Sequence, residues 1–125
     1  MGIVRAFLGA MEERDLARAA SFLGEGFTMT FPGAVRFSRL EELVLWSKPR
    51  YRFVKKRYSR FEQAVASDGS GGASVTCFGT LYGEWPDGTA FEGIRFCDWF
   101  LLGADGKLLA QEVWNDMALA VPRQS

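Results

Sequence analysis

The segment Phe91-Glu-Gly-Ile-Arg-Phe-Cys-Asp98-Trp-Phe100 places one carboxyl, Asp98, two residues from a phenylalanine on either side. In an extended chain, residues two apart point the same way, so Asp98 shares a face with Phe96 and Phe100. Burial among phenyl rings penalises the charged form of a carboxyl. A carboxyl held neutral can donate a hydrogen bond to a developing oxyanion, and one held charged can abstract a proton. Asn115, Gln111 and Tyr82 are the polar groups that could assist it. The competing reading is structural: a carboxylate satisfied by Thr76, by backbone amides or by a lysine.

The sequence contains no histidine, which removes Ser-His-Asp and Cys-His nucleophile systems and imidazole metal ligation. Proton transfer would fall to carboxylates, Tyr, Lys, Cys or bound water. Cys77 and Cys97 are the two cysteines, and neither belongs to a Cys-x-x-Cys cluster. They are expected to be free thiols packed as small hydrophobes, and no metal or organic cofactor is expected.

The basic stretch Lys48, Arg50, Arg52, Lys55, Lys56, Arg57 and Arg60 is interleaved with Tyr51, Phe53, Tyr58 and Phe61. Such a pattern can bind single-stranded nucleic acid, but it is also what a solvated strand face and edge looks like. Fifteen basic residues balance fifteen acidic ones, so no net field favours nucleic acid, and it is not the expected partner.

Several elements must position these groups. Apolar residues from Ile3 to Leu23 recur at helical spacing, as one amphipathic helix or two meeting near Arg14-Asp15, with Asp15 capping the second and Gly24 and Gly26 ending it. Phe27 to Phe31 alternates as a strand, stopped by Pro32-Gly33. Ser38 and Glu41 form a capping box for a helix from Arg39 to about Ser47, closed by Pro49. Four strands follow: Tyr51 to Ser67, Ala73 to Glu84, Thr89 to Leu102, and Lys107 to Leu119. Asp68–Gly72, Pro86-Asp87-Gly88 and Ala104-Asp105-Gly106 supply the turns. Helices first and strands afterwards predict an α+β fold, with helices on one face of an antiparallel sheet.

A hairpin centred on Asp87 pairs Cys77 with Cys97, Thr76 with Asp98 and Phe78 with Phe96. One face then holds Phe78, Tyr82, Phe96, Asp98 and Phe100, the lining of a pocket for a small hydrophobic or partly polar ligand. The other holds Val75, Cys77, Leu81, Arg95, Cys97 and Trp99. In one register of the final hairpin Gln111, Val113 and Asn115 join Asp98. In the alternative, one residue away, Glu112, Trp114 and Asp116 do. The first is favoured because it buries the less charged set, and it sets Arg95 opposite Trp114 on the outside. Trp99, Trp114, Leu81 and Val75 would then lie exposed together, which a homodimer on that face would cover. Phe7, Phe31 and Trp46 are further candidates for the pocket wall, with ordinary core packing as the competing role.

A chain of 125 residues, 48% hydrophobic, is expected to form one domain across 1–125, ordered from about 3 to 119. No apolar run approaches the ~20 residues of a membrane span. The first residues lack a signal-peptide pattern, so a cytoplasmic location is expected.

The element order, with the strand-and-turn Phe27-Thr-Met-Thr-Phe-Pro-Gly33 and the closing motifs Phe91–Asp98, Asp105-Gly-Lys-Leu108 and Trp114-Asn-Asp116, resembles the nuclear transport factor 2-like superfamily over about residues 3 to 119. The likeness is greatest to its SnoaL-like branch. It implies a cone-shaped curved sheet wrapped around N-terminal helices and enclosing a pocket, with dimerisation through the sheet. Superfamily activities include steroid isomerases, polyketide cyclases, epoxide hydrolases and dehydratases, alongside non-catalytic binding domains. In the steroid isomerase pattern Asp98 falls on the oxyanion-hole carboxyl, but the general base falls at or beside Phe31 and the catalytic tyrosine on Phe7. The Arg and Asp residues of the epoxide hydrolase pattern are missing. The single important acid of the polyketide cyclases corresponds most nearly to Asp116.

Overall fold

The computed structural model describes residues 2–120. The elements are α1 (Gly2–Glu12), α2 (Leu16–Ala20), β1 (Leu23–Phe31), β2 (Val35–Phe37), α3 (Leu40–Ser47), β3 (Phe53–Val65), β4 (Ala73–Glu84), β5 (Ala90–Leu102), β6 (Leu108–Asn115) and α4 (Met117–Ala120). The six strands form one curved sheet in the order β2-β1-β6-β5-β4-β3, leaving β2 and β3 at its edges. Neighbours are antiparallel except β1 and β6, which run parallel.

Local chemistry explains the helical part. Arg14 turns with φ +60°, and the Asp15 carboxylate accepts from the Arg18 amide at 3.2 Å, so the first helical stretch breaks into two at that point. The segment around Gly24 and Gly26 does not end a helix but belongs to β1, which begins at Leu23. Before α3 it is Glu42, not Glu41, that reaches back, accepting from the amides of Arg39 at 3.0 Å and Ser38 at 3.3 Å. The last strand stops at Asn115, short of Leu119, because the Asn115 side chain accepts from the Met117 amide and starts α4.

Bulges curve the sheet and reset its register. Close to the Asp87 turn, Glu84 pairs with Ala90 and Gly83 with Phe91, as a hairpin centred there requires. Glu92 and Gly93 then oppose Tyr82 alone, with Gly93 at φ +73°, and beyond this bulge Cys77 pairs with Asp98 and Phe78 with Cys97. Cys77 therefore does not face Cys97, and the two free thiols lie on opposite sides of the sheet. A second bulge at Ser59 carries Tyr58 to Gly79 and Arg60 to Phe78. Gly79 is required where β3 folds over β4, because a Cβ there would run into the Arg57 carbonyl and press on the Phe96 ring.

The concave face holds the core. Val4, Phe7, Leu8 and Met11 of α1 pack with Phe27 and Met29 of β1, Val75, Cys77 and Leu81 of β4, and Ile94, Phe96 and Phe100 of β5. Val75 and Leu81 thus lie inside rather than on the exposed face. Phe7 meets Phe27 and Phe100 edge-on at centroid distances of 6.1 and 6.2 Å. No helix among the described residues is long and apolar enough to cross a membrane.

Candidate functional site

Asp98 sits midway along β5 on the concave face with 0% of its surface exposed. Its cross-strand neighbours are Cys77 and Val113, and Phe96 and Phe100 flank it on its own strand. Lys56 of β3 donates from Nζ to Asp98 Oδ2 at 2.5 Å, an ion pair whose lysine side chain is 23% exposed. The other carboxylate oxygen, Oδ1, is buried without a hydrogen-bond partner among the described residues. An orphaned buried acceptor of this kind is costly.

Lys56 points inward because of strand alternation. In Phe53-Val-Lys-Lys-Arg-Tyr58 the set Val54, Lys56 and Tyr58 faces in, while Lys55 and Arg57 face out. The ammonium lies 5.1 Å from the Phe96 ring centroid. Desolvation alone would make Lys56 easier to deprotonate, but the charge of Asp98 and its hydrogen bond outweigh it and raise the pKa above 10.5. The Tyr58 hydroxyl is pushed up to about 12 by burial, opposed by Lys56. Burial, then the charge of Asp98, also pushes the Cys77 thiol up to about 12. At neutral pH Lys56 is therefore charged where it meets Asp98, while the Tyr58 phenol and the Cys77 thiol nearby are neutral.

The residues singled out in the sequence separate into two groups. Phe96, Phe100, Gln111 and Val113 are buried on the same face as Asp98, and Asn115 shares that face while capping α4. Phe31 and Trp46 lie 5.7 Å apart by ring centroids, with Arg50 stacked on Trp46 at 4.1 Å. Phe7 is fully enclosed in the core. Phe78 and Tyr82, by contrast, lie on the convex face, moved there by the bulge at Gly93. Arg60 stacks on Phe78 at 3.8 Å and Arg57 on Tyr82 at 4.1 Å. Asp116 is also outside, accepting from Arg95 Nε at 2.8 Å, and Trp114 pairs with Cys97 rather than with Arg95. A lysine was among the expected partners of Asp98, but that it is Lys56 was not read from the sequence. Its signal was parity with Val54 and Tyr58, hidden within a run of basic residues.

The convex face carries an open groove of about 690 Å³, lined by Arg57, Arg60, Phe78, Thr80, Arg95 and Trp114. Trp114 is 60% exposed there. Among the described residues, no cluster of three or more Cys, Asp or Glu side chains is placed to hold a metal ion.

No family model matches the chain, and no curated protein matches it in sequence. Solved structures do match. A protein of unknown function from Burkholderia pseudomallei, described as nuclear transport factor 2-like, superposes with a TM-score of 0.76 at 16% identity, over 97% of this chain and 93% of that one. TerC co-crystallised with polyporic acid gives 0.77 at 16% identity, over 95% and 92%. The Anabaena (Nostoc) orange carotenoid protein binding canthaxanthin gives 0.69 at 13% identity, over 89% of this chain and 35% of that one. SnoaL-like polyketide cyclases are also among the structural neighbours. With its N-terminal helices cradled by an unclosed six-stranded sheet, the chain has the nuclear transport factor 2-like fold.

Proposed function

We propose that this chain binds a small, largely apolar, oxygen-bearing molecule against the concave face of the sheet, with Asp98 as its polar anchor. The observation that carries this reading is the buried Asp98 Oδ1 atom left without a partner among apolar neighbours. A mostly apolar lining with one or two placed polar groups is what small-molecule sites have in common. Two structural neighbours are described with small molecules, TerC co-crystallised with polyporic acid and the orange carotenoid protein, of which this chain matches 35%, binding canthaxanthin. The test is mass spectrometry of protein purified under native conditions and then denatured. Release of a stoichiometric hydrophobic compound is expected, and an empty protein that also binds none of a panel of aromatic and terpenoid alcohols would sink the reading.

The alternative is a cofactor-independent isomerase, cyclase or dehydratase using Asp98 as acid/base or oxyanion donor. As an oxyanion donor Asp98 would have to be a neutral carboxyl, whereas it is ion-paired with Lys56, which suits only the role of base. The positions at which a steroid isomerase would carry its base and tyrosine hold Phe31 and Phe7.

On the convex face we infer a homodimer. The face is uncovered by any helix among the described residues and carries Phe78, Tyr82, Trp99 and Trp114. Arg57, Arg60 and Arg95 share it with Glu62, Glu112 and Asp116. A two-fold interface needs one patch that complements itself, and a mixture of both charge signs around aromatics meets that need. Sedimentation should show a dimer that Trp114→Glu converts to a folded monomer. A monomeric wild type would overturn this part.

A further inference from the structure

The interior ion pair is unevenly satisfied. Lys56 occupies Asp98 Oδ2, while Oδ1 is buried without a hydrogen-bond partner among the described residues, and the side chains next to Asp98 along and across the strands are Phe96, Phe100, Val113 and Cys77. Three of these are hydrocarbon and a thiol is a weak donor, and neither the Tyr58 hydroxyl nor the Gln111 amide on the same face is hydrogen-bonded to Oδ1. The polar need of the site is therefore for a proton donor.

We infer that the site selects its ligand by a neutral hydrogen-bond donor, an alcohol, phenol or amide N–H given to Asp98 Oδ1, and discriminates against molecules whose oxygens only accept and against carboxylates. The inference rests on the binding reading given above and names the ligand class. A charge-assisted hydrogen bond in an apolar setting is among the stronger ones a ligand can make. A ligand lacking the donor leaves Oδ1 buried and unpaired, which is the basis on which polar sites reject close analogues. An anion fares no better. Lys56 already spends its charge on Asp98, so the pair is neutral overall and its open side is a carboxylate oxygen.

Lys56 has the second role of fixing this preference. Its ammonium holds Asp98 as an acceptor, and its raised pKa keeps the ammonium charged at neutral pH.

The experiment is calorimetric titration at millimolar concentration with phenol, anisole and benzoate, three probes of similar size that differ in donor and charge. Wild type should bind phenol about tenfold or more tightly than anisole, with benzoate no better than anisole. In the Lys56→Met/Asp98→Leu double variant phenol should lose that advantage while anisole affinity stays within about threefold. Equal affinities for phenol and anisole in wild type, as a water already on Oδ1 would produce, or tightest binding of benzoate, overturn the donor rule and leave the binding reading standing. Failure of all three to bind wild type counts against the binding reading and takes the donor rule with it. The wild-type comparison needs no variant, so a double variant that fails to fold does not remove the test.

Discussion

The two faces of β5 carry similar ion pairs with different consequences. On the concave side Lys56 meets Asp98 at 2.5 Å, with the carboxylate 0% exposed. On the convex side Arg95 meets Asp116 at 2.8 Å, with side chains 82% and 39% exposed. Contact distance barely distinguishes them. Solvent does: outside, water and salt screen the attraction and would solvate either partner left alone. Inside, neither partner has such a refuge, so the pair is a mutual obligation rather than a bonus. The cysteines repeat the contrast, Cys77 enclosed beside Asp98 and Cys97 half-buried on the outer surface.

Four measurements sharpen or break this contrast. The largest effect is expected from Lys56→Met, which abandons the Asp98 charge in the core and should cost about 3–5 kcal/mol by urea denaturation. The Lys56→Met/Asp98→Leu double variant should recover most of it, since a well-packed apolar pair often replaces a buried ion pair without loss. A Lys56→Met cost under about 1 kcal/mol would mean that the two faces do not differ in the way described.

Next comes alkaline stability. Cys77 titrates at about 12 in the folded chain against an ordinary 9.0, and Tyr58 at about 12 against 10.0. Both folded values are raised, so their contribution is complete below pH 9, falls as unfolded thiols and phenols ionise, and is gone above about 12. Cys77→Ala should flatten the decline that starts near pH 9, and Cys97→Ala should flatten it less, because burial raises that thiol too but less strongly. On intact protein an aromatic disulfide reagent should label Cys97 and spare Cys77. The smallest effect belongs to Arg95→Ala, expected to cost about 1 kcal/mol or less and to shrink further in high salt.

Much of the architecture was legible because its punctuation is chemical. Asp-Gly turns bracket β4 so tightly that Ala73–Glu84 was read to the residue, and Asp15 announced the break between the first two helices. β2 was not legible, since three residues after a tight turn carry no periodicity. The site was half legible. That Asp98 shares a face with Phe96, Phe100 and the odd-numbered residues of β6 followed from alternation, but which residues of β4 joined them did not. The bulge at Glu92-Gly93 is one residue long, and one residue suffices to exchange Phe78 and Tyr82 for Cys77 and Leu81. Lys56 was hidden for a different reason. Its partner lies 42 residues further along the chain, and a lysine among basic neighbours looks like surface until the strand that carries it is placed.

β3, which supplies Lys56, is hydrogen-bonded along only one flank. Strands in that situation are the first to peel away in thermal fluctuations. Here peeling would strip the interior Asp98 of its cation, so each excursion must admit water to it. The margin of the sheet is thereby tethered from within, and a guest seated on the carboxylate would be registered as slower amide exchange along the outermost strand.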